Sequence, residues 1–209
     1  MQSNLEEVIK NLKLANKKPT LLLHVCCAPC SSYVIEYLSD FFDITLYFYN
    51  PNITSYDEYV LRLCELKRFI TEMPKAKGIS VIEGEYNVEE FLRLTKSFAQ
   101  EKEGGNRCFI CYKQRIFSTA QKAKEKGFDY FTTTLTVSPH KNAKKLNEIG
   151  AEAAKIYNTS HLFSDFKKKN GYKRSIELSK EYNLYRQDFC GCAYSKAEAK
   201  IRRLEKNVK

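Results

Sequence analysis

The sequence predicts an α/β fold: one domain over residues 1–209, with a parallel sheet, helices on both faces and a C-terminal helical segment. Three observations carry this. Short apolar runs alternate with longer amphipathic stretches along the chain, the pattern of strand–helix–strand crossovers. The first run, Leu21-Leu22-Leu23 with Val25, shows little polar alternation, as a strand covered on both faces should. The 209 residues, 43% hydrophobic and 29% charged, suffice for one such core.

Residues 4–17 read as an amphipathic helix with Leu5, Val8, Ile9 and Leu12 on one face. Strand 20–25 ends abruptly in Cys26-Cys27-Ala28-Pro29-Cys30, and Ser31 and Ser32 open a helix over 31–42. A second strand, Ile44–Tyr49, stops at the turn signal Asn50-Pro51-Asn52. Helix 55–72 carries Tyr56, Tyr59, Val60, Leu63, Leu66 and Ile70 at helical spacing, and Cys64 beside Val60 and Leu63 reads as core. Strand 79–83 precedes helix 88–99. The loop 101–107 then delivers Cys108-Phe109-Ile110-Cys111 to the start of helix 110–126. Strand 128–135 runs into Thr136–Lys141, helix 141–157 and an irregular lysine-rich segment, 159–170. Helix 172–183 leads to Asp188-Phe189-Cys190-Gly191-Cys192, and a charged helix over 195–207 follows. The turns at 26–31, 50–55 and 135–141 should share the sheet edge where such folds bind ligands. No glycine occupies 26–32, so the first turn cannot approach a phosphate closely, and ATP binding is not expected.

No secretory segment is evident, and no apolar run approaches the ~18 residues of a membrane span. A cytoplasmic protein without a membrane partner is the expectation. In a reducing compartment the eight cysteines point to metal or redox chemistry rather than a disulfide framework. A net charge of +10 with 14 Tyr and 13 Phe suits a nucleic-acid partner.

The cysteines fall in clusters. Cys108 and Cys111 form a CxxC at a helix start, which alone fits zinc, iron–sulfur or a thiol redox pair. Adding Cys26 and Cys27, at a sharp turn, gives the four thiolates that a [4Fe–4S] cluster needs. Cys190-Gly191-Cys192 reads as a redox-active dithiol, whose disulfide would be strained and reducible, or as ligands of a second metal. Cys30 fits either that second metal or a helix-start thiol with no role.

The motifs His24-Val25-Cys26-Cys27-Ala28-Pro29-Cys30, Tyr49-Asn50-Pro51-Asn52-Ile53, Arg107-Cys108-Phe109-Ile110-Cys111-Tyr112, Thr133–Lys141 and Phe189-Cys190-Gly191-Cys192 run in order from residue 24 to 192. Together they resemble the cobalamin-independent epoxyqueuosine reductases of the QueH type. The resemblance implies a Rossmann-like (HUP-like) domain and an oxidoreductase of tRNA processing. Its reaction would be the last step of queuosine biosynthesis, reducing the epoxide of epoxyqueuosine at the wobble position to an alkene. By the same resemblance Cys26, Cys27, Cys108 and Cys111 match the [4Fe–4S] ligands, and Cys190 and Cys192 the redox-active pair. The family is also thought to hold an additional iron beside the cluster. Some members carry an acidic residue where this chain has Cys30, so Cys30, Cys190 and Cys192 stand as candidate ligands of that iron. The external electron donor is not legible.

Around this core, Arg107, Lys113 and Arg115 flank the CxxC, Lys167-Lys168-Lys169, Lys173 and Arg174 form a second basic stretch, and Lys200, Arg202, Arg203, Lys206 and Lys209 a third. All are candidates for tRNA phosphate. Thr134, Ser138, His140 and Lys141 should lie at the mouth of the site, with His140 a candidate for proton donation or phosphate contact. Tyr49 and Asn52 are candidates to hold the modified base, Asp188 to bind metal or cap a turn, and His24 is expected to be a hydrogen-bonded core residue. The competing readings are an iron–sulfur tRNA thiolase on an ATP-binding fold and a zinc-stabilised RNA-binding module.

Overall fold

In a computed structural model, residues 5–207 are described. Four parallel strands, β1 (Thr20–His24), β2 (Asp43–Phe48), β3 (Ser80–Glu83) and β4 (Tyr130–Thr133), form one sheet in the order β3-β2-β1-β4. Successive residues of β1 face opposite layers: Leu21 and Leu23 join the core under α1 (Leu5–Ala15), α2 (Ala28–Leu38) and α3 (Tyr56–Glu72). Leu22 joins the core under α5 (Asn106–Lys126) and α6 (Ala143–Tyr157). The sheet is therefore covered on both faces, as its unalternated apolar sequence requires. The chain completes β2 and β3 on one side of β1 before returning, through α4 (Val88–Thr95) and α5, to β4 on the other side. A crevice opens at such a reversal, at the carboxyl ends of the strands. Cys26-Cys27 leaves β1 at that point.

The main differences from expectation are at helix starts, and each has a local cause. Helix α2 begins at Ala28, three residues earlier than expected, because Pro29 is tolerated in a first turn and Cys27 takes the extended N-cap conformation. Helix α5 begins at Asn106 rather than 110: the Glu101 carboxylate accepts from the Asn106 and Arg107 N–H groups and caps it. Strand β4 stops at Thr133, whose Oγ1 accepts from Leu135 N–H at 3.2 Å and turns the chain into a 3-10 segment, Thr134–Val137. Helix 88–99 divides into α4 and a 3-10 turn, Lys96–Phe98. Cys64 is exposed rather than core, since α3 buries the stripe Tyr59, Arg62, Leu63, Leu66 and Phe69.

The segment at 159–170 is irregular but not loose. Phe131 donates to Ser160 O at 2.9 Å and Leu162 donates back to Phe131 O at 3.0 Å, which covers the free edge of β4. Asn147 on α6 clasps Ser164, donating to its carbonyl at 2.8 Å and accepting from its N–H at 3.1 Å. The His161 ring packs on Phe131 and against Gly150 of α6, where an added Cβ would overlap the imidazole. Two last helices, α7 (Gly171–Glu181) and α8 (Ala193–Asn207), complete the chain. No helix among the described residues is long and apolar enough to cross a membrane.

The His161 contact makes two expectations. Gly150→Ala should lower stability by about 1–3 kcal/mol, read as a lower denaturant midpoint at unchanged slope. Burial pushes the His161 imidazole from 6.5 down to about 4, so the folded state binds fewer protons there than the unfolded chain. Its stabilising contribution is complete above 6.5 and is lost as pH falls towards 4. His161→Gln should flatten that acid limb of the stability profile.

Candidate metal and redox site

Each cysteine cluster sits at the start of a helix. Cys27 is the N-cap of α2 and Cys30 lies in its first turn. Cys108 and Cys111 occupy the first two turns of α5, and Cys192 immediately precedes α8. Helix N-termini carry partial positive charge and free N–H groups, which act in favour of thiolate at all three places, against the burial of the sulfurs.

Cys26, Cys27 and Cys30 bring their sulfurs within 4.8 Å of one another and can hold a metal ion. The Cys26 and Cys27 sulfurs are 3.7 Å apart. Within this nest thiol donation from Cys26 and then Cys30 pulls Cys27 well below the ordinary cysteine value, and Arg62 assists. Hydrogen bonding among the three pushes Cys26 and Cys30 up. Burial pushes Cys111 up to about 12, against the pull of Arg115, and raises Cys108 and Cys192 too.

The CxC loop is held from two sides. Arg62, 1% exposed, donates through Nη1 to Cys190 O at 3.0 Å and through Nη2 to Phe189 O at 3.4 Å, with Glu58 as its ion partner at 2.6 Å. Ser195 in the first turn of α8 donates its N–H to Cys192 Sγ at 3.3 Å and accepts at Oγ from Cys190 N–H at 3.1 Å. Gly191 has φ +122°, a conformation that favours glycine, and packs against Ile53 and Arg62. Neither Arg62 nor Ser195 was singled out from sequence. Arg62 stands at a buried position of α3's stripe, and Ser195 follows Cys192 at capping-box spacing; these were the available signals.

Two adjoining cavities lie along this edge. One, of ≈ 520 Å³, is walled by Cys26, Cys27, Cys30 and Cys190, with Leu135, Val137 and Phe189. The other, of ≈ 20 Å³, lies among Cys108, Cys111, Cys190 and Cys192. The four sulfurs expected to share one cluster are thus divided between neighbouring spaces, and Glu103, Arg115, Lys141 and Cys190 line both. Arg115 is 1% exposed and leaves Nη1 and Nη2 without a partner. Lys141 is held in its charged form, despite desolvation, by the sulfurs of Cys190 and Cys26. A buried guanidinium beside sulfur, with two orphaned donors, suits thiolates bound to metal better than neutral thiols.

Known proteins resemble this chain over most of its length. A family model described as epoxyqueuosine reductase QueH matches residues 21–198, a span that includes all eight cysteines. The epoxyqueuosine reductase QueH of Streptococcus pyogenes is 46% identical over 193 residues, covering 91% of this chain and 76% of that protein. That of Staphylococcus epidermidis is 42% identical over 195 residues, 91% of this chain and 82% of the relative. The Thermotoga maritima protein is 34% identical over 189 residues, 89% and 95% respectively.

This chain belongs to the epoxyqueuosine reductase QueH family.

QueH membership makes it an oxidoreductase. Several finer expectations need correction. All eight cysteines are free, so the expected Cys190–Cys192 disulfide is not formed; the loop holds the pair as thiols between Arg62 and Ser195. Arg107 and Arg115 are buried and cannot track a phosphate backbone from the surface; Arg107 instead pairs with Glu198 at 2.9 Å. Lys113, Lys167, Lys169 and Arg174 are each engaged by a carboxylate. The Lys206 side chain and Lys209 lie outside the described residues.

Tyr49 is buried and stacked on Tyr47 at 5.8 Å, so its ring is not offered to a base. Asn52 is also buried, its amide on Cys190 O at 3.5 Å. Asp188 lines the larger cavity and is paired through both oxygens with Arg203, at 2.7 and 2.8 Å. Thr134 is buried with its hydroxyl unpartnered, while Ser138, His140 and Lys141 line the larger cavity as expected. His24 is a core residue: its imidazole is held between Thr133 Oγ1 at 2.8 Å and Tyr49 O at 3.1 Å, and burial keeps it neutral.

Arg62→Met removes both carbonyl contacts of the CxC loop and strands Glu58. Unfolding should be easier by about 3 kcal/mol, and Cys190 should alkylate faster in the folded protein, read by mass spectrometry against wild type.

Proposed function

We propose that this chain reduces the epoxide of epoxyqueuosine in tRNA to the alkene of queuosine. The single observation that carries the reading is the ≈ 520 Å³ cavity at the sheet's reversal point, with four cysteines in its wall. That volume suits an extruded nucleoside. The family's name supplies the substrate.

Deoxygenation breaks two C–O bonds, forms one C=C and releases water, consuming two electrons and two protons. Cys26, Cys27, Cys108 and Cys111 are the residues proposed to hold a [4Fe–4S] cluster, which when bound supplies single electrons. Cys30, close to both Cys26 and Cys27, is the first candidate ligand for an additional iron, with Cys190 and Cys192 next. Oxidation of the Cys190–Cys192 dithiol to a disulfide would yield two electrons and two protons, the amount the epoxide takes up. An external reductant must then restore the thiols.

The other residues bind and orient. Leu135, Val137 and Phe189 give the cavity apolar walls that exclude water. Lys141 holds a proton at Nζ beside Cys190 and Cys26, where the departing oxygen needs one. Outside, Lys196, Lys200 and Arg203 line a groove of ≈ 560 Å³ beside Phe189 and Gly191, a path for tRNA phosphate next to the cavity. The thiolase reading finds no glycine in the 26–30 turn to cradle phosphate, and the zinc-module reading leaves the dithiol and the large cavity without a purpose.

The experiment is anaerobic turnover of epoxyqueuosine-containing tRNA with a low-potential reductant, followed by nucleoside mass spectrometry. Queuosine should form with the wild type and fall to background with Cys108→Ala; unchanged epoxyqueuosine with the iron-loaded wild type would end the proposal. Cys190→Ser should lose multiple turnover. Lys196→Ala with Lys200→Ala should weaken tRNA binding and lower its salt slope by about 1 per lysine.

A further inference from the structure

Four cations border the cysteines, and two of them are paired with carboxylates. Arg62 has Glu58 and two carbonyls. Arg107 has Glu198, the carbonyls of Ala99 and Glu101 and the face of Tyr194. Lys141 is half-buried at the mouth. Arg115 is different. It is 1% exposed, its Nε donates to Cys111 O at 3.3 Å, and Nη1 and Nη2 are enclosed with no partner.

Among the described residues no carboxylate is hydrogen-bonded to it; Glu103 lines the same two cavities but forms no ion pair or hydrogen bond with it. The nearby phenol of Tyr112, its ring centre 6.0 Å from the guanidinium carbon, is kept neutral by burial. A guanidinium does not lose its proton, so this charge must be met by an anion. What else lines its surroundings is sulfur: Arg115 lines the cavity of Cys26, Cys27 and Cys30 and also that of Cys108, Cys111 and Cys190. Neutral thiols cannot supply a counter-charge, whereas metal-bound thiolates do.

We propose that Arg115 is the fixed counter-charge of the metal centre, its two free terminal nitrogens donating to anionic sulfur from the side of α5. This rests on the metal centre proposed above and makes Arg115 a positioning residue rather than a tRNA contact. Two consequences follow from charge alone. Without metal, Arg115 is an uncompensated buried cation and a liability. With metal, it stabilises the more negative, reduced form of the centre and so raises its potential.

The test compares wild type, Arg115→Met and Arg115→Lys by thermal melting before and after anaerobic loading with iron and sulfide, and by redox titration of the loaded proteins. Metal-free Arg115→Met should melt at or above the metal-free wild type. Loading should raise its melting temperature less than it raises that of the wild type, and its centre should be reduced at a more negative potential; Arg115→Lys should fall between. A metal-free Arg115→Met that is unfolded or strongly destabilised would overturn the proposal, since Arg115 would then be structural. So would a loaded variant with wild-type melting and potential, including one that loses only tRNA affinity. If wild type itself takes up no iron, the metal centre fails, and that outcome is distinct from the other two.

Discussion

The interior of this protein contains charge that must be balanced. Arg62, Arg107 and Arg115 are all at most 3% exposed at the side chain or residue level, and they converge on the sheet edge where the cysteine clusters lie. An uncompensated buried ion costs several kcal/mol, a large fraction of a domain's stability. Negative charge balances two of the arginines, through Glu58 and Glu198, and sulfur is proposed to balance the third. The helix N-termini add positive potential at the same three places and act, with the cations, against the burial that disfavours thiolate there.

The fold supplies the convergence. Because β1 is flanked by β2 on one side and β4 on the other, its carboxyl end faces the reversal of strand order, and the chain leaves it as Cys26-Cys27. The carboxyl end of β4, two residues longer in expectation than in fact, turns at Thr133 into the segment that brings Lys141 to the cavity. The CxC loop arrives from a distant part of the chain and is held by Arg62 of α3 and by Asn52 after β2. Elements from both sides of the sheet therefore meet at a single edge.

Much of this was legible in the sequence. Apolar runs such as Leu21–Leu23 give the strands because burial on both faces leaves no room for alternation. Cysteine spacing gives the clusters because thiolate ligands must come in short-range groups. Helix starts were harder: Pro29 and the Glu101 cap act through single local contacts that a period of 3.6 does not report. Arg115 and Arg107 were misread as surface residues since a basic side chain in an amphipathic helix is usually solvated; Arg107 is buried against Glu198 of α8, and Arg115 among the cysteines, partners that only the tertiary fold brings. Arg62 acts on the CxC loop across the fold, and nothing in its local sequence specifies that partner, whereas Ser195 acts locally, three residues after Cys192.

The central claim is that sulfur at this edge is anionic and bound to metal. Iron and acid-labile sulfide analysis of anaerobically purified protein, with its visible and Mössbauer spectra, tests it most directly. The account predicts a brown protein with broad absorption near ~400 nm and about four iron and four sulfide per chain, any further iron adding to that number. A colourless protein holding one zinc, or no metal at all, with every cysteine titrating as a free thiol, would contradict it.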